Sequence, residues 1–197
     1  MFNNILLNTD SYKASHYLQY PAKTQVVSSY IEARGGDFDR IVFFGLQAFL
    51  KQYLSKPITP TDIDEAEQIL AAHGVPFYRE GWESIINKHG GYLPVEVQAV
   101  AEGTVVPTGN ALVQIQNTDP DAFWLTSYLE TALLRAIWYP TTVATLSWHT
   151  KQIIARYLDE TSDDPAEQLP FKLHDFGARG ASSEESAALG GMAHLVN

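Results

Sequence analysis

The stretch that decides the fold is LPVEVQAVAEGTVVPTGNALVQIQN, residues 93–117. Apolar and polar residues alternate along both of its halves, and a period of two is typical of strands that bury one face. The apolar residues that share a face within each half are Val95, Val97 and Ala99, then Ala111, Val113 and Ile115. A Pro-Thr-Gly-Asn turn at 107–110 separates the halves. The stretch therefore predicts antiparallel sheet.

Upstream of this sheet, the sequence predicts mainly helices. The predicted elements are a short helix within 10–20, a strand at 26–34, and helices at 44–54, 59–74 and 80–89. The helix at 59–74 has the clearest start and stop signals, because Thr59 suits the N-cap, Pro60 suits the first helical position and Gly74 suits the C-terminal end.

Downstream of the sheet, apolar spacing predicts a helix that starts after Asp119 and ends at Pro140, then a second helix at about 142–160. The segment FKLHDFGARGASSEES, 171–186, reads as a buried strand at 171–175, a glycine-containing break, and a helix with Ser182 and Glu185 as a capping box. The order of elements predicts an α+β domain over 1–165, followed over 166–197 by the first strand–helix unit of an α/β repeat.

Composition and charge narrow the class of protein. Of the 197 residues, 45% are hydrophobic and 18% charged, which is a globular composition. The net charge of -10 and the lack of a basic patch argue against nucleic-acid binding. The chain has no cysteine, which excludes disulfides, thiolate metal sites and a thiol nucleophile. With no signal peptide and no apolar run near the ~18 residues of a membrane span, we expect a soluble, cytoplasmic protein.

Phe176 and Arg179 are the first candidate site residues. They lie three residues apart beside Gly177 and Gly180, where backbone can approach a ligand closely. An aromatic ring can stack on a planar ligand, and a guanidinium can fork onto a phosphate. The alternative interpretation, a phenylalanine in the core and a solvated arginine, stays equally open from these residues alone.

A second polar cluster, NTDSYKASHY at 8–17, contains Asp10 and Tyr12, although a solvated N-terminal helix would look the same. Arg34, before two glycines, is a candidate phosphate ligand or a solvated side chain. His16 has no second histidine, cysteine or carboxylate at the sequence spacing typical of metal ligands. We therefore predict no protein-built metal site. The residues alone thus predict an α+β protein with an anion and aromatic-ligand site near 176–179.

Four segments carry a resemblance that spans nearly the whole chain. They are NILLNTDSYKASHYLQYP, GYLPVEVQAVAEGTVVPTGNALVQIQNTDP, FWLTSYLETALLRAIWYPTTVAT and KLHDFGARGASSEESAALGGMAHLVN. Together they resemble the nicotinamide phosphoribosyltransferase family. The resemblance implies an N-terminal α+β domain followed by the start of an incomplete α/β barrel. It also implies a pentosyltransferase of NAD salvage, which forms nicotinamide mononucleotide and pyrophosphate from nicotinamide and phosphoribosyl pyrophosphate.

The resemblance also implies roles for the candidate residues. Phe176 would form one side of an aromatic sandwich around the pyridine ring, and Tyr12 of the second subunit of a homodimer would form the other, with Asp10 beside it. Arg179 and Arg34 would bind phosphates of the sugar donor, which would bring Mg²⁺.

The catalytic residues are expected beyond Asn197, so this chain would be an N-terminal portion that is inactive alone. Two alternatives remain: a non-catalytic ligand-binding or dimerisation module that pairs with a separate barrel chain, and a nicotinate-specific transferase.

Overall fold

The computed structural model describes residues 4–196, which form two compact units. Of the described residues, 4–32, 46–99 and 111–135 lie in the first unit, and 33–45, 100–110 and 136–196 lie in the second. Each unit is therefore built from separate stretches of the chain. The contiguous division expected from the sequence, 1–165 and 166–197, concerns the domains of a longer protein and stays a prediction.

Strands and helices alternate irregularly along the chain. The strands are β1 (Ser28–Glu32), β2 (Arg40–Val42), β3 (Val95–Ala99), β4 (Val105–Pro107) and β5 (Ala111–Asn117). The α-helices are α1 (Leu46–Phe49), α2 (Pro60–His73), α3 (Arg79–His89), α4 (Leu125–Tyr128), α5 (Glu130–Thr161), α6 (Pro165–Gln168) and α7 (Glu184–Leu195). A π-helical turn, Leu50–Leu54, continues α1, and 3₁₀ turns occur at Ile5–Leu7, Ser11–Leu18, Pro120–Ala122, Leu169–Phe171 and Gly177–Gly180.

The antiparallel sheet predicted from the alternating pattern is confirmed in the first unit. Its strand order is β1-β5-β3, and β5 pairs antiparallel with both neighbours. Val97 lies opposite Ile115 in this sheet, and Val113 and Ile115 are buried. The short strand β4 belongs instead to a two-stranded antiparallel sheet with β2 in the second unit. The fold class is thus mixed helix and antiparallel strand.

Aromatic rings form much of the core of the first unit. Trp82, on α3, is 1% exposed and meets Trp124 and Tyr128 edge to face, with ring centroids 4.6 and 5.0 Å apart. Edge-to-face packing is the favoured geometry for aromatic pairs. Burial also raises the pKa of Tyr128 above its usual value, so its hydroxyl stays protonated and donates to the Leu6 carbonyl at 2.6 Å. The rings therefore also tie the N-terminal segment to α4.

The helices α2 and α3 form as predicted, and the start and stop signals of α2 are local. The Thr59 hydroxyl accepts from the Asp62 N–H, the Asp62 carboxylate accepts from the Thr59 N–H, and Gly74 ends α2 at φ +78°. The last turn of α3 contacts the segment after β5, because His89 Nε2 lies at hydrogen-bond distance, 2.7 Å, from the Asp119 carboxylate. This hydrogen bond lowers the pKa of the Asp119 carboxyl.

The predicted break at Pro140 is wrong, because α5 runs through this residue without interruption. Proline has no N–H for the Ala136 carbonyl and would ordinarily kink or end a helix. Here hydrogen bonds from β2 and from the residues just after it stabilise the helical turns that follow Pro140. The Thr145 hydroxyl accepts from the Val42 N–H at 2.9 Å, and the Thr141 hydroxyl accepts from the Phe44 N–H at 3.2 Å. The helix therefore satisfies the Val42 N–H of β2 and the Phe44 N–H beyond it, and these tertiary contacts hold the helix together past the proline.

Gly45 allows the backbone to approach the helix at the proline. Its φ is +112°, and a Cβ placed there would lie 2.5 Å from the Ala136 carbonyl oxygen and 2.6 Å from Pro140 Cγ. Real Cβ atoms do not approach other atoms this closely, so only glycine fits. The carbonyl that Pro140 leaves without an intrahelical donor thus faces the backbone at Gly45.

The strand predicted at 171–175 is also wrong. Residues 173–176 have no regular structure, between the 3₁₀ turns Leu169–Phe171 and Gly177–Gly180. A strand needs a neighbouring strand to pair its backbone groups, and no described residue of this chain offers one here. The helix that follows is confirmed as α7.

The capping residue of α7 differs from the prediction. Ser183, rather than Ser182 with Glu185, is the N-cap, and its hydroxyl accepts from the Ser186 N–H at 3.1 Å. Ala193, in the last turn of α7, packs in a small core with Val42 of β2 and Ala144 of α5. The helix predicted at 44–54 likewise exists, but as α1 continued by the π-helical turn.

Candidate functional site

The five candidate site residues all have exposed side chains, and they divide between the two units. Asp10 and Tyr12 belong to the first unit, whereas Arg34, Phe176 and Arg179 belong to the second. Phe176 is 76% exposed, which rules out the alternative that it is a core residue of this chain. The structure thus brings Asp10 together with Tyr12, and Phe176 together with Arg179, by their closeness along the chain.

Phe176 precedes a 3₁₀ turn, and Arg179 lies within it. Phe176 directly precedes the turn Gly177–Gly180, and the Asp175 carboxylate accepts from the Gly177 N–H at 2.6 Å. This bond fixes the start of the turn and engages the Asp175 carboxylate. Arg179 makes no ion pair with any residue of 4–196. The turn therefore presents an exposed ring and an uncompensated guanidinium, as recognition of a planar ring and an anion requires.

Arg34 lies in the loop between β1 and β2, before Gly35 and Gly36. Its side chain is exposed and forms no ion pair within the described part of the chain. A second guanidinium is thus available for an anion in the second unit.

Tyr12 lies on the 3₁₀ helix Ser11–Leu18, and its side chain is 56% exposed. The neighbouring Lys13 is 5% exposed and forms an ion pair with Glu130, the first residue of α5. On the other side of Tyr12, the Asp10 carboxylate accepts from the Thr131 hydroxyl at 2.7 Å. The expectation of a merely solvated N-terminal helix therefore fails for Lys13.

Sequence reasoning missed Lys13, Glu130 and Thr131 as parts of this arrangement. Lysine is almost never buried unless its charge is paired, so composition alone favoured a solvated side chain. The partner of Lys13 is 117 positions away along the chain. The only local signal was the density of polar residues in SYKASHY, which does not name the partner.

The residues 4–196 contain no group of three or more histidine or carboxylate side chains that could hold a metal ion. None of the helices described here combines the length and the apolar character of a bilayer-spanning segment.

Comparison with solved structures defines the class of fold. The chain superimposes with a TM-score of 0.63 on human nicotinic acid phosphoribosyltransferase, over 94% of this chain and 34% of that one, at 19% identity. The described residues therefore share the fold of part of that chain.

Comparison of sequences identifies the family within this class. Residues 4–97 match the family model of the nicotinamide phosphoribosyltransferase N-terminal domain. A nicotinamide phosphoribosyltransferase of Xanthomonas campestris pv. campestris (strain 8004) is 60% identical over 99% of this chain and 42% of its own length. One from Acinetobacter baylyi (strain ATCC 33305 / BD413 / ADP1) is 30% identical over 98% of this chain and 41% of its own. The chain belongs to the nicotinamide phosphoribosyltransferase family and spans less than half the length of these relatives.

Proposed function

We propose that the protein carrying this chain is a nicotinamide phosphoribosyltransferase of NAD salvage. The observation that carries the proposal is the 60% identity, over 99% of this chain, to a relative of that name. In the reaction, the pyridine nitrogen of nicotinamide bonds to the anomeric carbon of phosphoribosyl pyrophosphate. The bond from that carbon to the diphosphate oxygen breaks, and pyrophosphate leaves with the electron pair. The products are nicotinamide mononucleotide and pyrophosphate.

We assign Phe176 and Tyr12 to the two faces of the pyridine ring. Their exposed rings support this assignment, since neither is used in the core of the chain. Tyr12 would come from the second copy in a homodimer, with Asp10 beside it. Clamping both faces would orient the ring nitrogen toward the anomeric carbon, which is catalysis by orientation.

We assign Arg179 and Arg34 to the phosphates of the sugar donor. Negative charge builds on the departing diphosphate in the transition state, and guanidinium groups stabilise such charge through charge-assisted hydrogen bonds. Two uncompensated arginines in a chain with a net charge of -10 support this role. Mg²⁺ would arrive on the diphosphate. When bound there, it would neutralise further charge on the leaving group.

The remaining catalytic groups would lie in the part of the relatives that this chain does not span, on the α/β barrel that begins near residue 166. The 197 residues alone would then be inactive. The absence of cysteine fits a reducing compartment, and we propose a cytoplasmic location.

Turnover by the full-length protein tests this function. With phosphoribosyl pyrophosphate and Mg²⁺, nicotinamide should give nicotinamide mononucleotide with a higher kcat/KM than nicotinate gives its own product. Preference for nicotinate would establish the sibling transferase instead. No turnover of either substrate would favour the non-catalytic module.

Phe176→Ala in the full-length protein should raise KM for nicotinamide about tenfold, because one stacking partner contributes roughly 1–1.5 kcal/mol. KM for phosphoribosyl pyrophosphate should change little. Phe171→Ala is the matched control, since Phe171 is exposed to nearly the same extent, 72%, in the same unit. Equal effects of the two substitutions on nicotinamide would remove Phe176 from the ring site.

A further inference from the structure

The 3₁₀ helix that carries Tyr12 is long for its type. It runs for eight residues, Ser11–Leu18, whereas 3₁₀ runs beyond three or four residues are uncommon because their hydrogen-bond geometry is poor. Such a segment needs contacts from outside to hold a defined conformation. These contacts decide how firmly the exposed Tyr12 ring is presented.

The strongest of these contacts is the ion pair between Lys13 and Glu130. The Lys13 side chain is buried, whereas Glu130 is half exposed in the first turn of α5. An ammonium leaves water only when a partner compensates its charge, so Glu130 is what keeps Lys13 inside. Because Lys13 adjoins Tyr12 in the chain, this burial fixes the backbone on the C-terminal side of the tyrosine.

Two further bonds come from the same region of the chain. The Thr131 hydroxyl donates to the Asp10 carboxylate at 2.7 Å, which anchors the chain on the N-terminal side of Tyr12. The Ser127 hydroxyl lies 3.3 Å from His16 Nδ1, one turn further along the 3₁₀ helix. The end of α4 and the start of α5 therefore bind the 3₁₀ helix on both sides of Tyr12.

The Tyr12 ring itself rests near these anchored side chains. Lys13 Nζ lies 5.7 Å from its centroid, and the His16 ring lies 5.2 Å away at a tilted angle. A cation at this distance from a tyrosine ring is attracted to its face. Movement of Lys13 would therefore change both the backbone and the immediate surroundings of the ring.

We propose that Glu130 and Thr131 are positioning residues for the pyridine substrate, and that they act through Lys13 and Asp10 on Tyr12. The inference rests on the proposed function, in which Tyr12 stacks on nicotinamide. None of the proposed contacts requires Glu130 or Thr131 to touch the substrate. Substituting Glu130 or Thr131 should therefore weaken nicotinamide binding only to the extent that Tyr12 loses its fixed orientation.

The test uses steady-state kinetics of the full-length protein with Glu130→Gln, which keeps the shape of the side chain and removes its charge. We expect KM for nicotinamide to rise about five- to tenfold, while KM for phosphoribosyl pyrophosphate and kcat stay within about twofold. Glu130→Asp, which keeps the charge, should restore part of the loss. Asp121→Asn is the matched control, because it breaks the Lys88–Asp121 ion pair elsewhere in the same unit and should leave both KM values unchanged.

A double-mutant cycle separates this inference from the function on which it rests. In a Tyr12→Ala background, Glu130→Gln should have almost no further effect on KM for nicotinamide. An unchanged KM in Tyr12→Ala alone would contradict the assignment of Tyr12 to the ring. If Tyr12→Ala raises KM but Glu130→Gln does not, or if the two effects multiply, the positioning role is wrong and the function stands.

Thr131→Val provides a second variant if the charge substitution unfolds the protein. It removes only the hydroxyl that donates to Asp10 and leaves the buried lysine paired. We expect a rise of about threefold in KM for nicotinamide, with a urea-unfolding midpoint close to that of the parent protein. No rise in a folded Thr131→Val protein would overturn the Asp10 branch of the proposal.

Discussion

Replacing Arg179 by alanine is expected to weaken binding of phosphoribosyl pyrophosphate by about 2–4 kcal/mol, which is roughly 30- to 1,000-fold. The guanidinium has no ion pair among residues 4–196, so its donors are available to the phosphates rather than to another side chain. The chain carries a net charge of -10, and attraction of an anion must therefore come from individually placed cations. Removing one such cation removes the charge-assisted hydrogen bonds that it would donate to the phosphates.

Calorimetric titration of the full-length protein with the sugar donor and Mg²⁺ measures this effect. Arg179→Lys should fall between the parent and Arg179→Ala, because it keeps the charge but loses the planar fork. Arg156→Ala is the control, since it removes an exposed arginine that lies over its neighbour Tyr157 in the same unit. Donor affinity equal to that of the parent protein would exclude Arg179 from the phosphate site.

The parts of the fold that could be predicted are those fixed by local sequence. The cap at Thr59, the stop at Gly74 and the alternation that pairs β3 with β5 each depend on a few neighbouring residues. Each of these signals acts locally: a capping residue or a left-handed glycine determines one helix end, and alternation of apolar residues determines one strand. The chain follows them as predicted.

Two of the wrong predictions, the break at Pro140 and the strand at 171–175, share a dependence on distant residues. Pro140 ends no helix because Thr141 and Thr145 accept hydrogen bonds from the backbone of Phe44 and Val42, about a hundred positions earlier. The strand at 171–175 has no partner among the described strands, so its apolar pattern alone did not suffice. Local pattern sets a preference, and tertiary pairing decides whether it is realised.

The candidate site was visible in the sequence only as residue types. A ring and a guanidinium between glycines marked Phe176 and Arg179, and their exposure agrees with a role in binding. The support beneath Tyr12 was not visible, because the ion pair of Lys13 with Glu130 closes a loop of 117 positions. Recognising residues that hold a binding side chain in place therefore required the three-dimensional structure.

The second large effect is expected for Gly45→Ala, which should lower the free energy of unfolding by about 2–6 kcal/mol. A non-glycine residue at φ +112° costs roughly 1–3 kcal/mol in backbone strain, and forcing a methyl group into a filled site costs about as much again. The clash is with the Ala136 carbonyl and the Pro140 ring, so the helix can relieve it only by moving away from Gly45. That movement would strain the bonds from Thr141 and Thr145 to the neighbouring backbone.

Urea unfolding monitored by circular dichroism measures this loss, and Gly74→Ala is the matched control. Gly74 also has a positive φ, +78°, but a Cβ there would meet no atom within 4 Å. The control should therefore cost only about 1 kcal/mol, the penalty of left-handed backbone for an L-residue. If Gly45→Ala costs no more than Gly74→Ala, the close approach at Pro140 does not hold α5 in place, and the explanation given for the uninterrupted helix is wrong.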